Sequence, residues 1–339
     1  MMKTKLVYVL TCAPEATYIE QALISIWSAR YHNPNAKIML IVDDKTNELF
    51  VGNRSEVLDY VTEKKVVEFD ADMTMHYRSR WLKTRVRELI DGDMLFIDCD
   101  TICCSSLEDI DECAALVAMV PDEHLPVQNY PDTLKLSLSE YCNKLGYNIL
   151  EEKWYFNSGV IYAKDTWEVR QLWRYWHECW VEGEKKGVKP DQPSLGKANI
   201  LCNRIIQHLP DVWNTLIYMN PIFVKEGKIL HFWNFRNKSF IFAPAFLKYL
   251  KENGLTLYAK DNILTPLKSI LPFNNILTQS NVCQYLKYSK QIRQQRMLYA
   301  LNVDATFADF PWQNNFSLIK KYIQIKLLGK KERRRVFFT

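Results

Sequence analysis

Short, nearly all-apolar segments recur through the first 120 residues, with room for one helix between each pair, and this rhythm leaves few architectures open. Residues 6–10, 38–42, 66–69, 94–97 and 116–120 read as strands. Residues 18–30, 55–62 and 77–89 read as amphipathic helices between them. Apolar strands buried on both faces and alternating with helices predict an α/β fold, with a mostly parallel sheet covered on each side. Further on, the spacing predicts a helix over 133–145, a strand at 159–162, a Trp-rich helix over 167–184, a loop and helix from 190 to 198, and a last strand at 229–232.

The run Met94-Leu95-Phe96-Ile97-Asp98-Cys99-Asp100-Thr101 then narrows the chemistry. Alternation along a strand points Asp98 and Asp100 to the same side, at the strand end where open α/β sheets bind ligands. Two hard oxygen donors there suit Mg²⁺ or Mn²⁺ shared with a diphosphate. The plainer reading is a polar strand end or helix cap.

Just upstream, Arg80, Lys83 and Arg87 fall at i, i+3 and i+7 on one helical face, while Leu82, Val86 and Leu89 share another. That basic face is either solvated or placed to hold a diphosphate. Asp43 and Asp44 end the second strand, where they either cap a helix or bond a base or ribose. His231 lies in an aromatic strand, where a core or hydrogen-bonded histidine is the plainer reading.

Composition excludes several classes. With 48% hydrophobic and 13% aromatic residues the chain is not mainly disordered, and only 10 glycines leave little room for glycine-rich phosphate loops. The net charge of +5 comes from one end: residues 318–339 hold eight Lys or Arg and one Glu, so the rest carries 36 basic and 38 acidic groups, a net of −2. A near-neutral body is unlike a nucleic-acid-binding surface, so no nucleic-acid partner is expected. Nine cysteines without paired metal-type spacing read as reduced, mostly buried thiols. The first ten residues are too short in apolar length for a signal core or membrane span, which predicts a cytoplasmic protein.

Three further pieces follow the aspartates in order: Phe156-Asn157-Ser158-Gly159-Val160-Ile161-Tyr162, Asp191-Gln192-Pro193-Ser194, and Ile229-Leu230-His231-Phe232-Trp233. Together with Thr11 and Tyr18 near the first strand, they resemble glycosyltransferase family eight, the glycogenin and bacterial lipopolysaccharide galactosyltransferase type. The resemblance covers roughly residues 3–240 and implies a GT-A fold, a Rossmann-like mixed sheet flanked by helices, over residues 1–243. By it, Asp98, Asp100 and His231 hold Mn²⁺ or Mg²⁺, and the mixed carboxylate and imidazole donors favour Mn²⁺. Asp98 also contacts the UDP-sugar donor, Thr11 and Tyr18 hold ribose and base, and Asp44 lies near them. Lys83, beside Arg80, faces the diphosphate; Asn157, Asp191 and Gln192 surround the donor sugar. Cys99 stands where members often carry alanine, and its side chain is expected to turn away from the metal.

The resemblance implies a retaining transfer of glucose or galactose from a UDP-hexose to a glycan or lipid-linked acceptor in surface-polysaccharide synthesis. Retention would arise either by attack of a carboxylate such as Asp191 or by front-face attack of the acceptor. A catalytically inactive sugar-nucleotide-binding scaffold and a sugar-nucleotide nucleotidyltransferase are the competing readings; the segment 10–18, without a glycine, speaks against the second.

Beyond the resemblance, residues 244–317 read as a helical acceptor-side extension broken at Gly254, Pro266 and Pro272. In 318–339, Ile319, Ile323 and Leu327 recur at helical spacing among the lysines and arginines. Such a basic amphipathic helix suits an anionic membrane surface, which predicts peripheral attachment on the inner face of the cytoplasmic membrane. A basic tail without that role is the alternative.

Overall fold

The structure, a computed structural model, describes residues 2–216 and 227–232. Its frame is a seven-stranded sheet built from β1 (Lys5–Leu10), β2 (Ile38–Asp43), β3 (Glu63–Val67), β4 (Met94–Ile97), β6 (Val117–Pro121), β7 (Phe156–Ala163) and β8 (Ile206–His208). The strand order is β3-β2-β1-β4-β7-β6-β8. Neighbours run parallel except around β7, which is antiparallel to both β4 and β6. The expected mixed, mostly parallel α/β sheet is therefore present. A second, three-stranded sheet joins β5 (Thr101–Cys103) to β10 (Ile229–His231) and β9 (Thr215–Leu216).

Alternation along the strands divides the core in two. Leu6, Tyr8 and Leu10 of β1 face one side, where α1 (Tyr18–His32) and the small sheet's Ile102 and Leu230 cover them. Val7 faces the other side, packing with Phe96, Ile161, Leu82, Trp173 and Trp176. That second layer comes from α3 (Met75–Thr84), α4 (Val86–Leu89), α6 (Trp167–Lys185) and α7 (Gln192–Leu201). Helix α6 starts where the Thr166 hydroxyl accepts the Val169 amide, and it buries Val169, Leu172, Trp173, Trp176 and Trp180 at i, i+3, i+4, i+7 and i+11. One of these anchors reaches the candidate site, because Trp176 Nε1 donates to the Asp191 carbonyl at 2.9 Å. A smaller cluster of Val127, Tyr130, Leu138, Cys142, Ile149 and Tyr155 underlies α5 (Asp132–Lys144).

Three expectations need correction. The helix expected over 77–89 breaks at Arg85 (φ −116°, ψ 8°) into α3 and α4. The third strand is Glu63–Val67, not 66–69: it is the sheet edge, and its exposed Glu63 and Lys64 discourage further pairing while hiding it from an apolar search. The helix expected over 55–62 is a 3₁₀ helix, Gly52–Tyr60. The eight described cysteines are free thiols. The extension 244–317, the tail 318–339 and the domain boundary at 243 lie outside the described residues.

Candidate active site

Because β1, β2, β4 and β6 are parallel and β7 is antiparallel, one edge of the sheet collects the ends of four strands and the start of a fifth. Thr11 follows β1, Asp44 follows β2, Asp98 follows β4 and Asp122 follows β6, while Asn157 and Ser158 open β7. Ligands of open α/β sheets bind at such an edge.

The aspartate pair is tied down by backbone. The Asp98 amide donates to the Gly159 carbonyl at 2.7 Å, and the Phe232 amide to the Asp100 carbonyl at 2.9 Å. Strand β10 pairs antiparallel with β5, setting His231 opposite Thr101 and swinging its ring toward the carboxylates. His231 Nε2 lies 3.2 Å from Asp100 Oδ1. Ligand atoms of Asp98, Asp100 and His231 all fall within 4.8 Å of one another. Two carboxylates and one imidazole at this separation fit a divalent cation of the Mn²⁺ or Mg²⁺ class. Cys99 turns away, its Sγ reaching the Val9 carbonyl at 3.3 Å, and burial pushes its thiol well up.

Lys83 links this trio to a third carboxylate. Its buried Nζ lies 3.1 Å from both Asp98 oxygens and 3.8 Å from Asp191 Oδ2. One turn earlier, Arg80 Nε is 3.0 Å from Asp191 Oδ1. Ser158 Oγ donates to Asp191 Oδ2 at 3.1 Å. Burial would raise Asp191, but Lys83 and Arg80 outweigh it and hold the carboxyl below its ordinary range. For Asp98 burial wins over Lys83 and the carboxyl is pushed up. Arg87 does not join this face: past the break at Arg85 it is fully buried and donates to the Ile90 and Gly92 carbonyls at 2.7 and 2.8 Å.

Asn157 is buried and its amide is engaged at both ends. Its Oδ1 accepts the Gly159 amide at 2.9 Å and Asn214 Nδ2 at 2.8 Å, and its Nδ2 donates to Asp122 Oδ1 at 3.1 Å. Gln192, first residue of α7, also bonds the Asp122 carboxylate through its side chain. Asp122 and Asn214 are the two residues at this edge that sequence reasoning missed. Asp122 carried the same signal as Asp98, a carboxylate ending an apolar strand; Asn214 carried none.

The remaining candidates lie at the β1–β2 end of the edge. Thr11 is buried, and the neighbouring Cys12 amide donates to Thr46 Oγ1 at 2.7 Å. Tyr18, opening α1, is 41% exposed. Capping falls to Asp43, which accepts the Thr46 amide at 3.1 Å at the start of the short helix α2 (Asp44–Asn47) and pairs with Arg78. Asp44 Oδ1 is buried yet meets no donor among the described residues.

No curated protein sequence matches the chain significantly. Among solved structures it is similar to mouse xyloside xylosyltransferase 1 in its apo form, at 15% identity and TM-score 0.44, over 67% of this chain and 96% of that one. It is also similar to the galactosyltransferase LgtC in complex with donor and acceptor sugar analogs, at 13% identity and TM-score 0.46, over 72% and 94%. A third is the glycosyltransferase GlyE of Streptococcus pneumoniae, at 16% identity and TM-score 0.44, over 74% and 65%. Similarity at this level says nothing of substrate. The sequence profile of Glycosyl transferase family 8 matches residues 9–239, about two thirds of the 339 residues and the whole edge from Leu10 to His231, so the chain belongs to that family and is a glycosyltransferase.

Proposed function

We propose that the chain transfers a hexose, glucose or galactose, from a UDP-sugar to a glycan or lipid-linked acceptor, with retention of anomeric configuration and dependence on a divalent cation. The observation that carries this reading is the cluster of Asp98, Asp100 and His231, joined through Lys83 to Asp191. Asp98, Asp100 and His231 would hold Mn²⁺ or Mg²⁺, with Mn²⁺ favoured by the imidazole, and a bound cation there neutralises charge on a departing diphosphate.

The chain's own groups do the rest. Lys83, against Asp98, and Arg80, against Asp191, supply two positive charges where a diphosphate would lie. Asp191 is kept anionic at neutral pH, either to stabilise positive charge developing on the sugar ring or to attack it. Ser158 fixes one Asp191 oxygen, and Gln192 starts a helix directly behind it. Thr11, Tyr18 and Asp44 are assigned to the uridine: an exposed ring for stacking and an unpaired carboxylate oxygen for hydrogen bonding support this.

The same reading places the enzyme in surface-polysaccharide synthesis on the inner face of the cytoplasmic membrane, held there by 318–339. Among the described residues no helix is long and apolar enough to cross a membrane. Unchanged liposome binding after removal of 318–339 would dismiss the tail's part. Calorimetric titration with UDP-glucose, UDP-galactose and GDP-mannose, with and without Mn²⁺, tests the whole. Mn²⁺-dependent binding of one UDP-sugar, lost in Asp100→Ala, is expected; no nucleotide binding by the folded, metal-loaded chain would overturn it.

A further inference from the structure

His231 is useful as a metal ligand only if the nitrogen facing the carboxylates carries a lone pair, and imidazole has two tautomers, one of which fails. The hydrogen bonds behind the ring decide between them. A neutral imidazole donates from one nitrogen and accepts at the other, and an amide side chain donates from nitrogen and accepts at oxygen. Any fixed donor in a chain of such groups therefore sets the direction of every bond in it.

The fixed donor here is backbone. The Gly159 amide points at Asn157 at 2.9 Å, so the atom receiving it is the Asn157 carbonyl oxygen. The other end of Asn157 then presents N–H, and it meets a carboxylate acceptor, Asp122 Oδ1, at 3.1 Å. Both neighbours of Asn157 thus demand the same orientation. Its oxygen also receives Asn214, at 2.8 Å, and an oxygen can be approached there only by the Asn214 NH₂ group. The Asn214 oxygen is left facing His231 Nδ1 at 2.9 Å, where it needs a donor. His231 therefore carries a proton on Nδ1, which leaves Nε2, 3.2 Å from Asp100, as the nitrogen whose lone pair a cation held by the carboxylates would take.

We infer that Asn214, oriented by Asn157, is a positioning residue that locks His231 in the Nδ1–H tautomer and aims its Nε2 lone pair at the cation site. The inference rests on the metal-dependent reading above. Metal-bound histidines ordinarily donate their second N–H to a carboxylate or a carbonyl. In this chain two amides stand between the histidine and its carboxylate, so Asp122 at the end of β6 is joined to His231 through three successive hydrogen bonds. The relay is dry and held from every side: Asn214 is 0% exposed, His231 1% and Asn157 4%. Gly159 serves it twice, through its amide on Asn157 and through its missing side chain, since a Cβ there would lie 2.2 Å from His231 Cε1.

The test is Mn²⁺ affinity of the full chain, read from the free-Mn²⁺ paramagnetic resonance signal, for wild type, His231→Ala, Asn214→Leu and Asn214→Asp. Thermal melting without metal checks that each variant is folded. Asn214→Leu removes the acceptor and is expected to weaken Mn²⁺ binding about 10- to 100-fold. Asn214→Asp keeps an acceptor for Nδ1–H and is expected to stay within a few-fold of wild type, although it loses the bond to Asn157. A purely structural asparagine predicts the reverse, because a buried carboxylate facing the Asn157 oxygen disturbs packing at least as much as leucine does. Wild-type affinity in Asn214→Leu, or equal losses in both Asn214 variants, would overturn the relay while leaving His231→Ala to report on the metal site itself. Absence of Mn²⁺ binding by wild type would overturn the metal reading and the relay with it. A readout that needs no variant is the ¹⁵N spectrum of histidine-labelled wild type loaded with diamagnetic Mg²⁺: a His231 that lacks its proton on Nδ1 refutes the tautomer directly.

Discussion

Placing a methyl group on residue 159 tests the geometry of the site at its tightest point. An alanine Cβ at Gly159 would stand 2.2 Å from His231 Cε1, 2.8 Å from Nδ1 and 3.0 Å from Asn157 Oδ1. Carbon atoms in contact rest at about 3.5 Å or more, so the ring must retreat by roughly 1.3 Å. Retreat is resisted on all sides, since His231 is 1% exposed and both ring nitrogens have partners, Asn214 at 2.9 Å and Asp100 at 3.2 Å. Overpacking of this kind costs about 1–3 kcal/mol, and an Asn214 oxygen left buried without its donor about 1–3 kcal/mol more. A total of about 2–6 kcal/mol is a large share of ordinary domain stability and lowers Tm by roughly 5–20 °C. Mn²⁺ affinity should fall at least about tenfold as Nε2 leaves its place. Thermal melting of Gly159→Ala and Mn²⁺ calorimetry measure the two effects. Gly187→Ala supplies the contrast: nothing lies within 4 Å of its Cβ, and its cost is that of a positive φ (75°), which Gly159 does not have. A Gly159→Ala protein melting within about 0.5 kcal/mol of wild type, the range of ordinary surface changes, and binding Mn²⁺ equally well would refute the placement of His231 behind β7.

Adjacent aspartates at the end of β2 should behave in opposite ways. Asp43→Ala strands Arg78, which is 5% exposed, and removes a helix cap, costing about 3–5 kcal/mol in a denaturant melt; Asp44→Ala removes an oxygen that bonds nothing among the described residues and should shift stability by less than about 0.5 kcal/mol while weakening UDP binding. The stability profile should also slope with pH. Burial lowers His32 and His177 to about 4 from an ordinary 6.5, so the unfolded chain binds more protons in that window and stability falls as pH drops from 6.5 toward 4. Both rings keep part of their surface in water, so each contributes less than the limiting ~1.4 kcal/mol per pH unit. Urea midpoints at pH 7 and pH 5 should differ less in His177→Gln than in wild type, and identical pH dependence in the two proteins would contradict the assignment.

The fold was legible where burial alone shaped the sequence. Strands β1, β2, β4 and β6 are apolar because both faces are covered, and helix α6 announces itself through Trp173, Trp176 and Trp180 on one stripe. It was illegible where other forces set the residues. Strand β3, with only one neighbour, spends its positions on Glu63, Lys64 and Lys65; strands β5, β8 and β9 have three, three and two residues, too short for any period to appear. The break at Arg85 had no proline or glycine to mark it, and it moved Arg87 from an expected diphosphate face into the core, where a guanidinium satisfies carbonyls at the end of α4.

The candidate site divides along the same physical line. Asp98 and Asp100 could be singled out because carboxylates ending an apolar run are costly and ask for a reason, and His231 through its match to the family's late histidine. Asn214 gives no such signal, for it sits between Trp213 and Thr215 in a stretch that any loop could contain. Its value depends on two partners distant in sequence, Asn157 and His231, meeting it in a fully buried space. Gly159 shows the intermediate case. Its place in Phe-Asn-Ser-Gly was readable as a motif, but only the structure gives the physical reason, a histidine from β10 lying where a side chain would be. Residues that contact a ligand advertise themselves by their chemistry; residues that aim them are defined by direction, which a sequence does not contain.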